Sequence, residues 1–263
     1  MRTTRPTELI SPGNQREFVT ALARGLEVVR AFSGRDERLT LSEIAESVDL
    51  ARATVRRSLI TLVALGYVQS DGKFYRLAPK VLTLAQAYLS SSMLPRLAQP
   101  LVEQVSSQLG ESCSVSILHE TEVIYVARST NKRLAALMGD VGTRRPAYCT
   151  SMGRVLLAHL SDRECDAYFR MVKLIPLTAH TVTDKSKLRN ILLKIRKDDY
   201  YLSDQQFELD LRTIAVPLRN NAGRVVAAMH VATQAARTPK RHMVATYLPV
   251  LRKAAAEIRA LLV

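Results

Sequence analysis

The sequence predicts an α+β protein built of two parts. A winged helix-turn-helix covers residues 16–80, a linker helix covers 81–94, and an antiparallel-sheet domain with helices covers 95–263. Three observations carry that prediction. The tetrapeptide Thr40-Leu41-Ser42-Glu43 has the hydroxyl and carboxylate of a capping box and opens a short apolar-faced helix. A basic second helix follows after a very short turn, and an Asp71-Gly72 pair then separates two β-like runs. Beyond residue 95, runs of strand character are interleaved with amphipathic stretches, the pattern of a sheet with helices before, between and after its strands.

The elements follow in order. Residues 1–15, with Pro6, Pro12, Gly13 and Asn14, read as a flexible basic arm. A first helix is expected from Val19 to Phe32, with Leu22, Leu26 and Val29 inward, stopping before Ser33-Gly34. Leu41, Ile44, Ala45 and Val48 then recur at i, i+3, i+4, i+7 and give one buried face. Asp49-Leu50 leaves room for a tight turn alone. The next helix carries Arg52, Thr54, Arg56 and Arg57, holds Val55, Leu59 and Leu62 inward, and ends at Gly66 as the residue past its C-cap. Tyr67–Ser70 and Phe74–Leu77 form a two-stranded wing around Asp71-Gly72, both of which a tight hairpin would place at positive φ.

Pro79 closes this unit. Val81–Leu89 reads as a helix, and Ser90-Ser91-Ser92 with Pro95 marks a boundary. Leu97, Leu101, Val105 and Leu109 give the next helix its inner face. Cys113–Ile117 alternates strictly and Val123–Ala127 is β-rich. Thr150–Leu160 and Asp162–Val172 look helical. Asp184–Lys197 is amphipathic, with Leu188, Ile191, Leu192 and Ile195 inward and six basic residues on a solvated face. Ile214–Leu218 and Val225–Val231 flank a turn at Asn220–Gly223, and Thr238-Pro239 opens a long C-terminal helix.

Composition narrows the function classes. No run approaches the roughly 18 apolar residues of a membrane span, and the N-terminus has no apolar stretch behind its charges, so a cytoplasmic protein is expected. Three scattered cysteines make neither a disulfide framework nor a zinc pattern. The formal net charge is +14, which favours a polyanionic partner. Residues 51–80 concentrate six basic side chains against one acidic, Asp71. No nucleophile elbow, phosphate loop or zinc-protease motif occurs, and no cofactor or metal is expected. Cys149 and His159 lie ten residues apart, nearly three helical turns, so they do not form a nucleophile–base pair along a helix.

A basic second helix in this setting is the geometry that enters a major groove of double-stranded DNA. Arg52, Ala53, Thr54, Arg56 and Arg57 in its first turns, and Lys73 in the wing, are the candidate base and phosphate contacts.

Several stretches together resemble the IclR family of bacterial transcription regulators, most closely its branch controlling the beta-ketoadipate pathway of aromatic-acid breakdown. In the first part they are Glu17–Leu26, Leu41–Ala45, Arg56-Arg57 and Leu62–Val68. In the second they are Glu111–Ser114, Ile124–Arg128, Arg145–Arg154 and Leu211–Leu218. The resemblance covers roughly residues 16–262. It implies a GAF-like sheet domain that binds a small effector, homodimers often assembled as dimers of dimers, and operators near catabolic promoters. It departs at the helix-turn-helix turn, where the family usually has Gly-Leu-Ser and this chain has Asp49-Leu50-Ala51. Ala51 cannot cap the following helix, while Asp49 tolerates the left-handed conformation.

By the same resemblance, the effector-binding residues are Arg133, Ser151, Met152, Ser203, Thr213, His230 and Ala232, with His230 standing where the family commonly has a small polar residue. An Arg and a His could hold an aromatic or dicarboxylic acid by charge-assisted hydrogen bonds. The expected function is a regulator of an aromatic-compound catabolic operon, controlled by a small aromatic acid or a ring-cleavage product. A small-molecule-processing enzyme with an accessory helix-turn-helix is the alternative.

Overall fold

The computed structural model describes residues 17–33, 38–129 and 139–262. The arm expected at 1–15, and Arg133, lie outside them. The chain divides into two units, Met1–Tyr88 and Leu89–Val263.

In the first unit, α1 (Thr20–Arg30) runs into a 3₁₀ turn and is followed by β1 (Leu39–Thr40), α2 (Leu41–Ser47), α3 (Arg52–Ala64), β2 (Val68–Ser70) and β3 (Phe74–Leu77). The capping box forms: Thr40 N–H donates to Glu43 Oε2 at 2.7 Å, and Glu43 N–H donates to Thr40 Oγ1 at 3.4 Å. Those bonds to Thr40 hold the Glu43 carboxyl below its usual range. Asp49 takes the turn at φ 52°, and Ala51 precedes α3 with no side-chain cap. Gly66 ends α3 at φ 75°. Tyr67 N–H reaches Leu62 O and Gly66 N–H reaches Val63 O, a Schellman closure. Val28, Phe32, Ile44, Ala45, Val55, Leu59 and Val68 form the core.

Two expectations fail here. Leu22 and Leu26, predicted inward, are 62% and 53% exposed. The core side of α1 is set by Val28 and then Phe32, one turn on, which leaves the opposite apolar stripe uncovered. The wing turn also differs. Gly72 is at positive φ but Asp71 is not, because the Asp71 carboxylate accepts from Lys73 N–H and Phe74 N–H and shapes a longer turn. β1 adds a third strand that the sequence did not announce, in the order β1-β3-β2.

The boundary between the units falls within α4 (Leu82–Ser91), and Ser92 alone separates α4 from α5 (Met93–Leu109). Pro95 sits in the first turn of α5, where no intrahelical N–H is missed. The second unit then runs β4 (Ser112–His119), β5 (Glu122–Ser129), β6 (Arg144–Pro146), α6 (Ser151–Ala158), α7 (Asp162–Met171), α8 (Lys185–Asp198), β7 (Tyr201–Asp204), β8 (Leu211–Arg219) and β9 (Val225–Gln234). A helical turn at Lys240–His242 and a π-turn at Met243–Tyr247 lead into α9 (Leu248–Arg259).

Its six strands pair antiparallel in the order β6-β5-β4-β9-β8-β7. One face packs Cys113, Val115, Ile214 and Met229 against α5 and α9. The other packs Tyr125, Ala215 and Ala228 against α6, α7 and α8. The alternation in β4 therefore does not separate core from solvent. Ser112, Ser114 and Ser116 are all buried, because helices cover both faces of this central strand. The basic row of α8 is not wholly solvated either. Arg196 Nε donates to Ala158 O at 2.7 Å, Lys185 Nζ to Phe169 O at 2.9 Å, and Arg189 pairs with Asp166 at 2.6 Å. These side chains fasten the helix to its neighbours.

Candidate functional site

Two places gather the candidate residues, one in each unit. On α3, Val55 and Leu59 anchor the inner side, so Arg52, Ala53, Arg56 and Arg57 face solvent and Thr54 is half-buried. Arg52 and Arg56 are one turn apart and share a face. Among the described residues no carboxylate holds any of these three guanidiniums. Lys73 is exposed on the wing with its ammonium 5.3 Å from the Phe74 ring centroid, and Arg38 lies over the same ring at 4.7 Å. Two other basic groups of the segment have structural work. Lys80 Nζ caps the C-terminus of α3 at Leu65 O (2.9 Å), and Arg76 Nε binds Gln69 Oε1 (2.9 Å).

In the second unit a narrow cleft, with about 20 Å³ of open room, lies between the sheet and the start of α6. Sheet register builds its floor: Ser203 pairs with Thr213 across β7–β8, and His230 lies between Ser114 and Ala215 across β4–β9–β8. Arg145, Cys149, Thr150 and Ser151 form a wall, and Phe207 and Leu211 close the top. The wall exists because Gly153 lets α6 touch the Ala147–Cys149 turn. A Cβ at Gly153 would lie 2.2 Å from Ala147 O. Thr150 caps α6, its Oγ1 accepting from Gly153 N–H at 3.3 Å and donating to Pro146 O at 3.0 Å.

Among the described residues the cleft is lined by one guanidinium, that of Arg145, and by no carboxylate. Arg145 sits at its edge with its guanidinium 5.1 Å from the Phe207 ring centroid. Arg128, mostly buried, pairs with Ser114 in the sheet next to His230. Burial, and then the Arg128 charge, push the His230 imidazole down to about 3, so it is neutral and offers one donor and one acceptor. Among the described residues its Nε2 has no hydrogen-bond partner, nor does Ser151 Oγ. Burial raises the Tyr125 phenol to about 12, against the pull of Arg145 and Arg128, and its ring lies 6.0 Å from that of His230.

Of the residues carried over by resemblance, Ser151, Ser203, Thr213 and His230 meet at this cleft. Met152 and Ala232 do not line it. Met152, one residue and about 100° further round the helix, turns into the core, where its Sδ accepts from Ser116 Oγ at 3.1 Å. Ala232 lies in the strand row between Ser112 and Thr213 and is covered by Leu211 and Phe207. Sequence reasoning missed Tyr125, Arg145, Phe207 and Leu211. Phe207 sits in an aperiodic loop, and Arg145 lies in the Arg145–Arg154 stretch, whose spacing alone assigns it no role.

Behind the wall lies Arg154, fully buried. Its Nε donates to Tyr148 O at 2.6 Å, Nη1 to Tyr201 Oη, and Nη2 to Gln206 Oε1 at 2.5 Å. Cys149 is no nucleophile: burial lifts its thiol to about 12. His159 is engaged elsewhere, its Nε2 3.1 Å from Arg219 Nη2 and 3.3 Å from Asp199 Oδ1.

Residues 21–72 match the profile of the IclR helix-turn-helix domain, and residues 86–260 match that described as bacterial transcriptional regulator IclR C-terminal. The Pca regulon regulatory protein of Pseudomonas putida is 41% identical over 243 residues, covering 92% of this chain and 84% of its own. A solved structure from Rhodococcus sp. RHA1 is 45% identical with a TM-score of 0.81, covering 92% of this chain and 97% of that one. The inducer-binding domain of an Acinetobacter PobR double mutant, solved with 3-hydroxybenzoic acid, is 32% identical with a TM-score of 0.61, covering 65% of this chain and 100% of that one.

Proposed function

The chain belongs to the IclR family of bacterial transcriptional regulators, and on that premise we propose that it binds operator DNA of an aromatic-compound catabolic operon under control of a small acid held in the cleft. Residues 16–80 read the DNA, 81–94 connect, and 95–263 bind the effector. The observation that carries the effector reading is the cleft itself: a guanidinium at one edge, Ser151 and His230 in its lining with Oγ and Nε2 unpartnered among the described residues, and the first turn of α6 at its wall. A carboxylate fits beside Arg145, Ser151 and the positive end of α6. An effector held there would place its ring or short chain between Tyr125 and Phe207 and a hydroxyl against the neutral His230, with the narrow cleft widening to admit it. The likeness to the Pca regulator and to a hydroxybenzoate-bound domain supports an aromatic acid or ring-cleavage product as that effector.

On α3, Arg52, Ala53, Thr54, Arg56 and Arg57 enter the major groove, with Lys73 of the wing on phosphate. The protein acts as a homodimer, and as a dimer of dimers on DNA, so that paired half-sites are read together. The uncovered stripe Val19, Leu22 and Leu26 on α1, with Leu82, Leu84 and Tyr88 on α4, supports pairing with a second copy. The effector acts by preferring one dimer geometry over another, which alters half-site spacing.

A thermal-shift panel of 4-hydroxybenzoate, protocatechuate, muconate and adipate tests the reading. A ligand at 100 times its Kd should stabilise by about 2.7 kcal/mol and raise the melting temperature. A flat panel would sink the effector assignment.

A further inference from the structure

Buried cations in proteins are ordinarily matched by a carboxylate, because desolvating a lone charge is expensive. Arg154 is not matched in that way. It is fully buried, and the three acceptors of its guanidinium are a main-chain carbonyl, a phenol oxygen and an amide oxygen. Among the described residues no carboxylate accepts from it. Two of its acceptors belong to residues directly before ones that line the cleft. Tyr148 O is in the turn that carries Cys149 to the wall, and Gln206 precedes Phe207 at the top. Gln206 Nε2 also donates to Tyr201 Oη at 2.9 Å, so the fork, the phenol and the amide form one closed set. Arg154 binds the carbonyl of Tyr148, the residue directly before Cys149 of the wall.

We propose that Arg154 makes the cleft selective for anions: its uncompensated charge, held at the junction of wall and top, is completed by the negative charge of the bound effector, which it does not touch. Arg154 is thus a specificity-determining residue acting through space. The inference rests on the cleft being the effector site. It adds to that reading a residue outside the cleft lining, and it favours acids over their neutral isosteres.

The test is calorimetric titration of the full chain with two acid–amide pairs, 4-hydroxybenzoate with 4-hydroxybenzamide and adipate with adipamide. The wild-type protein should prefer the acid of at least one pair. Arg154→Gln keeps hydrogen bonding but removes the charge, and should cut the acid:amide affinity ratio about tenfold. Arg154→Lys, titrated near pH 6 so that the buried ammonium stays protonated, keeps the charge and should hold the ratio within about twofold of wild type. Equal weakening of acid and amide in Arg154→Gln would mean a structural role and overturn the proposal, as would an unchanged ratio. If the Gln variant does not fold, the Lys variant decides: a folded Lys variant that has lost acid preference overturns the proposal, and one that retains it supports it. Wild-type protein that binds none of the four compounds overturns the effector reading and this inference with it, an outcome distinct from binding with an unchanged ratio.

Discussion

His230 gives the sharpest quantitative handle on the second unit. Its imidazole is buried among Ser114, Ala215 and Tyr125, and burial with the Arg128 charge lowers it from 6.5 to about 3. A group whose folded-state value is depressed contributes stability that is full above the unfolded value and is lost as pH falls towards the folded one. Between pH 7.5 and 5.0 the unfolded chain takes up a proton here that the folded chain refuses. Linkage with values of 6.5 and about 3 gives a loss of roughly 2 kcal/mol over that interval. His230→Gln keeps polar character but cannot titrate, so this part of the pH dependence should vanish. The assay is urea unfolding of wild type and variant at both pH values, followed by far-UV circular dichroism and resolved into its transitions. The other four histidines contribute equally to both proteins and cancel in the difference. If wild type and variant lose the same stability between pH 7.5 and 5.0, the imidazole is not held neutral by burial and the chemistry assigned to the cleft is wrong.

Other substitutions probe the remaining parts. Arg56→Ala with Arg57→Ala should weaken operator binding by about 2–5 kcal/mol if both reach the DNA, with melting temperature unchanged; gel-shift titration at fixed salt reads it, and unaltered affinity would count against α3 as the reading helix. Ala51→Ser supplies the cap that α3 lacks and should stabilise the first unit by about 1 kcal/mol, visible as a later transition in thermal unfolding. Gly153→Ala places a methyl 2.2 Å from Ala147 O and should destabilise the second unit by about 3 kcal/mol, with loss of effector binding in calorimetry.

What was legible in the sequence divides by range. The capping box, the turn at Asp49 and the Gly66 closure are decided within six residues of chain, and each can be read from residue type alone. The wing turn was half legible: Gly72 needs its positive φ, but the Asp71 carboxylate chose a longer turn by binding two N–H groups. Periodicity located α1 yet misjudged its faces, because an apolar stripe states only that a surface wants cover. It cannot say whether that cover is the same chain, as for Val28, or something beyond it, as for Leu22 and Leu26. The cleft lies at the far end of this scale. Ser203, Thr213 and His230 meet through strand register, and composition carries no register, so they were reachable only through resemblance. Of the two neighbours that route supplied, Ser151 lines the cleft and Met152, about 100° of helix further on, faces the core. Arg154 was beyond either route. An arginine on a helix reads as solvent-facing by default, and the acceptors that permit its burial include Tyr201 and Gln206, 47 and 52 residues away in sequence. A buried charge with distant neutral partners leaves no local trace in the sequence.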